Sequence, residues 1–528
     1  MLLITNARIY TGFKGAPIVN ALLIHDDRVL AAGAVDEITA LAEPGTAQID
    51  FNGKTILPGL TDSHMHLKQF SLGLRNVLAE TDTIDECLRR VAEKAAETPA
   101  GEWITGWGWN QNVWPGGYGT AAQLDAVADG HPVCLSAKSG HAIWVNSKAL
   151  ELAGITAQTT DPEGGVILRG SNGEPTGILM ENASELIFEK IPPASFSAMR
   201  EAVLAGQEKL WSMGITGIHD FSILSLFPVL QNLDQAGLLK LRVVKGIPVE
   251  DLDTAVAAGL TTGFGSDFVK TGSVKCFMDG ALGPQTAGML EPFENSQERG
   301  IVLMTADEVF EIGRKASSHG MSLAIHAIGD RANRVVLDGY EKLREFEKAN
   351  GYKGLQHRIE HAQLLHPDDL PRLAKLGIIG SMQPIHCTSD MLISDRYWGK
   401  RASGAYAFRT LLDYNTRLIF GSDAPVETPN PFVGIHAAVT RRRADGTPGE
   451  QGWNPQEKLP LHEVLHAYTA APALSSGFGT RLGTLTSGSF ADLIVLSQDP
   501  FEIQAQDLHQ ISPDATMVGG TWVWAKPG

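Results

Sequence analysis

Short apolar runs alternate with amphipathic stretches through the middle of this chain. Candidate strands lie at residues 215–219, 239–244, 273–278, 323–326, 358–361, 378–382 and 418–420. Residues 197–213, 306–318 and 331–348 have the apolar spacing of helices. With one more strand that ends near residue 64, the pattern contains eight strands. This alternation predicts parallel strands with right-handed crossovers, and we predict the α/β fold class, as a (β/α)8 TIM barrel.

The two ends of the chain show a different pattern, made of short strands and turns. Apolar runs occur there at residues 2–10, 21–25, 28–32, 492–496 and 516–524. Neither end is long enough to bury a sheet alone. We therefore predict a small β-sandwich domain built from residues 1–57 and 480–528, with the barrel spanning residues 58–479 between them.

Residues from about 70 to 191 do not fit a single connection between a strand and a helix. This span is rich in Trp, Gly and Asn, and it is too long for a plain loop. We predict that it is a large insertion after the first barrel strand. We expect the insertion to fold against the mouth of the barrel.

The composition is that of an ordinary globular protein, since 43% of the 528 residues are hydrophobic and 20% are charged. The net charge of −17 argues against binding to nucleic acid or to an anionic membrane. Four cysteines lie far apart without a CxxC motif, which argues against a disulfide framework. No signal peptide is evident, and no apolar run approaches the ~20 residues of a membrane span. We expect a cytoplasmic protein.

Two histidines end the first predicted barrel strand. His64 and His66 lie in the sequence DSHMH, and side chains two residues apart in a strand point to the same side. Imidazole is the commonest protein ligand for Zn²⁺ and similar ions. A His-x-His pair by itself is equally compatible with a metal site and with two ordinary histidines beside a loop. The residues of the later strands are needed to decide between the two.

Four more polar residues lie in later strands or at their carboxyl ends, where a barrel enzyme has its active site. They are Lys275, His326, His361 and Asp423. Each has a structural explanation by itself, because a histidine at a strand end is often simply hydrogen-bonded and an aspartate after Gly-Ser often caps a helix. A lysine in an apolar strand needs a partner, since lysine is almost never buried unpaired. Their joint occurrence on separate strands favours a metal site.

Six motifs give the chain a resemblance to a known family. They are LPGLTDSHMH at residues 57–66, GHAIWVNS at 140–147, VKCFMDG at 274–280, IHAIGD at 325–330, IEHAQ at 359–363 and GSDAP at 421–425. Over essentially its whole length, the chain resembles the amidohydrolase superfamily of metal-dependent hydrolases. It is most similar to the YtcJ-like branch, which includes N-substituted formamide deformylases.

The resemblance implies a ligand role for five of these residues. His64 and His66 would bind one divalent metal ion. His326 and His361 would bind a second. A carbamylated Lys275 would bridge the two ions, since a carbamate supplies two anionic oxygens. The metal is expected to be Zn²⁺, with one or two ions per chain, because some members of the superfamily use a single ion.

Asp423 is implied to be the catalytic residue and a further ligand of the first ion. It would orient a metal-activated hydroxide and take its proton during attack on a carbonyl carbon. It would then return the proton to the leaving amine. The implied reaction is hydrolysis of an amide-type C–N bond in a small molecule.

Three residues are candidates for substrate binding, namely His141, Asp279 and Gln383. His141 is equally compatible with a substrate contact and with a structural role near Trp144. Asp279 is followed by glycine and is also compatible with a turn. The run of three arginines at residues 441–443 predicts a solvated helix face.

Two alternatives to amide hydrolysis are open. The enzyme could hydrolyse another bond, such as that of a cyclic amide, an ester or a carbamate. Deamination is disfavoured, because deaminating relatives usually lack the lysine carbamate that Lys275 would provide. The chain could also be a non-catalytic regulatory or binding protein on a hydrolase scaffold, although no proposed ligand is missing. The expected partners are a small-molecule substrate and, as the family often shows, a second copy in a homodimer.

Overall fold

The computed structural model describes residues 1–111, 113–138, 141–352 and 354–525. The chain forms two compact units. One consists of Met1–Phe70 and Val203–Gly528, and the other consists of Ser71–Ala202. The first unit contains an eight-stranded sheet and two smaller sheets, and the second contains a six-stranded sheet.

The eight-stranded sheet forms a barrel. Its strands, named β1 to β8 in chain order, are Leu60–Met65, Ile215–Asp220, Arg242–Pro248, Val269–Phe277, Leu323–Ala327, Arg358–His361, Ile379–Met382 and Leu418–Phe420. Each strand is parallel to its neighbour. A parallel bridge between Met65 and Ala424 brings the β1 and β8 edges together. The predicted (β/α)8 TIM barrel is confirmed.

Helices alternate with the barrel strands. In the order of the chain they are Phe196–Trp211, Phe227–Gln235, Leu252–Ala257, Ala306–Ser318, Asp330–Asn350, Leu370–Leu376, Pro384–Ser389, Met391–Trp398, Phe408–Asp413, Pro431–Thr440, Leu461–Ala467 and Ala470–Leu474. The predicted helix at residues 306–318 has these bounds in the structure, because Thr305 and Glu308 form a capping box at its start.

One barrel strand begins later than the sequence predicts. The apolar run at residues 239–244 was expected to be the third strand, but β3 begins at Arg242. The amide of Leu239 donates to the Leu233 carbonyl at 3.1 Å, so this residue closes the preceding helix instead. Apolar character alone does not distinguish a helix end from a strand start.

Both chain ends contribute to two further sheets. One has the strands Arg28–Gly33, Ala21–His25, Leu2–Thr5 and Ala47–Asp50 in spatial order, and the other has Thr521–Ala525, Pro513–Val518, Leu493–Leu496, Thr55–Pro58, Arg8–Tyr10 and Ile18–Val19. Buried Ile4, Leu22, Ile56 and Leu493 share one apolar cluster, so the two sheets enclose a common core. The runs at residues 2–10 and 516–524 were each expected to be one strand, but each forms two, separated by turns.

The second unit has its own sheet and its own core. Its strands in spatial order are Gly165–Arg169, Pro175–Glu181, Ala142–Val145, Val133–Ala137, Ile104–Trp109 and Val77–Leu78, and its helices are Ile84–Glu97, Ala121–Asp125, Ser147–Ala153 and Glu185–Phe188. The centre of the Trp114 ring lies 6.1 Å from the centre of the Trp109 ring and 5.7 Å from the centre of the Trp144 ring. These tryptophans therefore build the core of the unit.

The arginine run beyond Pro431–Thr440 is not a solvated face. Arg441 is fully buried, with Nε donating to the Trp453 carbonyl at 2.9 Å and Nη1 to the Tyr406 carbonyl at 3.1 Å. Its guanidinium carbon also lies 5.2 Å from the centre of the Phe408 ring. The expectation of a solvated position is wrong for Arg441, because distant loops supply its carbonyl acceptors.

Among residues 1–111, 113–138, 141–352 and 354–525, no helix combines sufficient length with sufficient apolar character to span a bilayer.

Candidate metal centre

The first strand of the barrel carries two histidines to its carboxyl end. His64 is 1% exposed, and the His66 side chain is 25% exposed. The loop after β8 lies directly against this strand, since a Cβ on Gly421 would be 2.5 Å from the His64 amide nitrogen. Glycine at position 421 therefore allows the two segments to approach closely.

His64, His361 and Asp423 form a buried cluster at this end of the barrel. Each offers one ligand atom, and these atoms lie within 4.8 Å of one another. His64 Nε2 is 3.5 Å from Asp423 Oδ1, and His66 Nε2 is 3.1 Å from the same oxygen. Three of the predicted ligands thus meet in space, and His66 reaches the same carboxylate.

His326 joins the cluster through His361. The centres of their rings are 4.6 Å apart, and the ring of His361 is 4.9 Å from that of His64. His361 therefore lies between the other two. The structure brings together all four histidines that sequence reasoning singled out as ligands.

His64, His326 and His361 each have one ring nitrogen bound to a protein acceptor. His64 Nδ1 pairs with Glu360 Oε2 at 2.5 Å, His326 Nε2 with the Gly280 carbonyl at 2.9 Å, and His361 Nδ1 with Gln383 Oε1 at 2.8 Å. A neutral imidazole that donates from one nitrogen keeps a lone pair on the other. The geometry therefore leaves His64 Nε2, His326 Nδ1 and His361 Nε2 as available donors to a metal.

The electrostatics of the cluster agree with neutral imidazoles. Burial, together with the charge of nearby Lys275, lowers the pKa of His64 and the pKa of His326 to about 4 each. Burial also holds the pKa of His361 well below its usual value. Metal ligation requires the neutral form, so these side chains are ready to bind a cation at neutral pH.

Asp423 supplies the negative charge. Burial by itself raises the pKa of this carboxyl, but the electrostatic effect of His64 and the hydrogen bond from His66 hold it well below the usual value. The carboxylate is consequently ionised at neutral pH. Three neutral imidazoles with free lone pairs and one carboxylate fit a divalent metal of the zinc type.

Lys275 lies in β4, and only 5% of it is exposed. In the described part of the chain, its ammonium has no hydrogen-bonded or ion-paired partner; it lies 4.9 Å from the ring centres of Phe221 and Phe277. Burial lowers the pKa of this lysine to about 8. A buried amine with a lowered pKa is more often neutral, and the neutral amine is the form that reacts with carbon dioxide.

Two ligand positions have left-handed backbone. The φ angle is +73° at His361, +44° at the next residue, Ala362, and +62° at Asp423. Such angles are unfavourable for residues other than glycine, at a cost of order 1–3 kcal/mol each. Strain of this kind concentrates at functional sites, and here it orients the ends of β6 and β8.

The candidate substrate residues lie in different surroundings. Gln383 is the acceptor for His361, as described above. Asp279 is 3% exposed, and its carboxylate accepts from the amides of Gly288, Ile328 and Gly329 at 2.8–2.9 Å. This anchors the loop after β4 to the loop after β5. The structure thus favours a supporting role for both residues.

His141 belongs to the second unit. It is exposed, and its Nδ1 lies 3.1 Å from Glu181 Oε2. Gly140, the first residue of its motif, lies outside the described residues. A contact between His141 and a substrate stays a prediction.

Sequence reasoning missed two buried charged residues of β6. Arg358 and Glu360 are 2% and 0% exposed, and their side chains form an ion pair of 2.5 Å. A signal was present, because the side chains of two opposite charges two residues apart in a strand point to the same side. The sequence could not show that Glu360 meets His64.

Comparison with known proteins places the chain among hydrolases. Residues 47–524 match the model of the family described as "Amidohydrolase family". The chain is 33% identical to the putative amidohydrolase YtcJ of Bacillus subtilis, covering 98% of both chains. It is 28% identical to the N-substituted formamide deformylase of Arthrobacter pascens, covering 100% of this chain and 99% of that one.

A solved structure shares this architecture. It is an uncharacterized metal-dependent hydrolase from Pyrococcus furiosus, with a TM-score of 0.80 and 30% sequence identity. The match covers 95% of this chain and 100% of the other. The resemblance to the YtcJ-like branch, first drawn from motifs, is confirmed over the full length.

Proposed function

Because the chain belongs to the amidohydrolase family of metal-dependent hydrolases, we propose that it hydrolyses an amide-type C–N bond of a small molecule. The observation that carries the proposal is the shared arrangement of His64, His326 and His361. Each has one ring nitrogen bound to a protein acceptor and the other left with its lone pair. The similarity to a formamide deformylase supports a C–N bond as the target.

His64, His66 and Asp423 would hold the first metal ion, and His326 and His361 would hold the second. Zn²⁺ fits best, since imidazole nitrogen and carboxylate oxygen are its usual ligands. When bound, such an ion polarises a carbonyl and makes water more acidic, with a pKa of about 7.

Asp423 is the proposed proton carrier. Its carboxylate is ionised and accepts the proton of the attacking water as the water oxygen bonds to the carbonyl carbon. Collapse of the tetrahedral intermediate breaks the C–N bond. Asp423 then donates the proton to the leaving nitrogen, so that the products are a carboxylic acid and an amine.

A carbamylated Lys275 and a second ion are part of the proposal. Lys275 is buried without a hydrogen-bonding partner among the described residues, and a carbamate on Nζ would convert this cation into an anionic ligand. His326 and His361, whose ring centres are 4.6 Å apart, would then bind the second ion.

The proposal is tested by metal analysis together with a substrate screen. Purified protein is expected to contain one or two Zn²⁺ ions per chain. N-formyl and N-acyl amines are screened against N-acyl amino acids, esters and carbamates, with chelator-treated protein as the control. Chelator-sensitive release of an amine supports the proposal. Absence of stoichiometric metal, together with no turnover after metal is added, would instead favour the non-catalytic binding protein.

A further inference from the structure

We propose that Glu360 is a positioning residue, which orients His64 for metal binding and is itself held by Arg358. The inference rests on the proposed function, since it assumes that His64 is a metal ligand. It assigns a role to two buried charges that the proposed reaction does not use.

Glu360 touches His64 directly. Its Oε2 lies 2.5 Å from His64 Nδ1, and the two residues are 296 positions apart in the chain. Glu360 is fully buried, and His64 is 1% exposed. The imidazole must therefore donate from Nδ1, which leaves the Nε2 lone pair on the side of Asp423, 3.5 Å away. A carboxylate behind a ligating histidine fixes the tautomer and strengthens the nitrogen as a donor.

Arg358 holds the carboxylate in this position. Its Nε is 2.5 Å from Glu360 Oε1. Its two terminal nitrogens donate to His219 Nδ1 at 2.7 Å and to the Ser63 carbonyl at 3.1 Å. Side chains from β2, β6 and β1 thus form one continuous buried chain that ends at a ligand.

Burying this chain of charged side chains carries a free-energy penalty for folding, because buried charges lose their hydration. An ion pair with a purely structural role could be replaced by apolar side chains without loss of stability. This pair differs, because the Glu360 carboxylate has a second partner in His64. The Arg358 guanidinium also donates a hydrogen bond to the carbonyl of Ser63, the residue before His64. Both contacts converge on the orientation of one imidazole.

The experiment measures Zn²⁺ affinity by competition with a chromophoric chelator. Glu360→Gln keeps an acceptor without the charge. The double variant Arg358→Met/Glu360→Leu removes both charges together and leaves no buried ion unpaired. The matched control is Glu347→Gln, because Glu347 is also a buried carboxylate paired with a buried imidazole, that of His357 at 2.7 Å.

We expect affinity to fall about tenfold in Glu360→Gln and up to about a hundredfold in the double variant. The Glu347→Gln control should bind with wild-type affinity. Wild-type affinity in the folded double variant, as judged by circular dichroism, would overturn the positioning role and leave the proposed function standing. A wild-type protein that binds no Zn²⁺ would overturn the proposed function and this inference with it.

Discussion

The amide of Asp423 donates a hydrogen bond to the main-chain carbonyl of His64 at 2.7 Å. Two residues after His64 and one residue after Asp423, the His66 amide donates to the Ala424 carbonyl at 2.8 Å. These backbone bonds join the ends of β1 and β8 at the point where both present ligands. The two ligand segments are therefore fixed relative to each other by the fold, before any metal binds.

Asp62 strengthens this junction. Its carboxylate accepts from the Ser422 hydroxyl at 2.5 Å and from the amides of Ser422 and His64 at 3.0 Å. We expect Ser422→Ala to lower the free energy of unfolding by about 1–3 kcal/mol, because a buried acceptor loses its donor. Chemical denaturation of metal-free protein measures the change. Ser381→Ala is the control, since the buried Ser381 hydroxyl has no partner among the described residues; an equal loss in both variants would contradict the special role of Ser422.

Replacing Asp423 by Asn should nearly abolish turnover while much of the metal stays bound. An amide cannot carry the proton from water to amine, whereas its oxygen can still face the ion. We expect a loss of at least about 10²-fold in kcat, measured with metal content determined on the same sample. Asp499→Asn serves as the control, because the Asp499 carboxylate binds the Tyr10 hydroxyl. Retained activity in Asp423→Asn would exclude Asp423 as the base.

Lys275→Ala tests the bridging carbamate. The variant should bind fewer metal ions per chain than the wild type, and short carboxylic acids should restore part of the activity by replacing the carbamate oxygens. Metal stoichiometry and turnover are measured with and without added acid. Lys270→Ala is a control on the same strand, since its ammonium donates to the Gly263 carbonyl. Normal metal binding by Lys275→Ala would show that the bridge is wrong.

Gln383→Leu removes the acceptor of His361 Nδ1. The ring loses the bond that selects its tautomer, so we expect Zn²⁺ affinity to fall by about ten- to a hundredfold. Chelator competition measures the affinity. Gln207→Leu, at a glutamine buried to a similar degree and bonded to the Leu238 carbonyl, should leave the affinity unchanged. A shared loss would point to general destabilisation instead.

Glu347 makes the fold sensitive to acid. Burial raises the pKa of this carboxyl, but bonds from His357, Ser317 and Arg344 outweigh that effect and lower the pKa from 4.5 to about 2. Below pH 4.5 the unfolded chain takes up a proton that the folded chain does not, so stability is lost as the pH falls from about 4.5 to about 2. The full contribution, about 3 kcal/mol, is present above pH 4.5. In urea titrations, Glu347→Gln should be less stable than wild type at pH 7, and the gap should narrow below pH 4.5; a gap that does not change with pH would refute this linkage.

Local patterns in the sequence were sufficient to predict the barrel and most of its candidate ligands. Apolar strands and amphipathic helices have periods that a sequence displays directly, so the barrel could be predicted without its contacts. Ligands at the carboxyl ends of separate strands also follow from the sequence, because parallel strands bring those ends to one side of the barrel. His64, His326, His361 and Asp423 could therefore be proposed together.

Only the tertiary structure decided how these residues are held. The pairing of His64 with Glu360 depends on β1 and β6 facing each other across the closed barrel, and no local rule relates positions 296 residues apart. The same holds for Arg441, whose acceptors come from distant loops, and for Gln383, which lies behind a ligand. Sequence by itself determined which side chains gather at the mouth of the barrel. The direction of each ring nitrogen was decided by barrel closure, since a hydrogen bond requires donor and acceptor to meet within a fraction of an ångström.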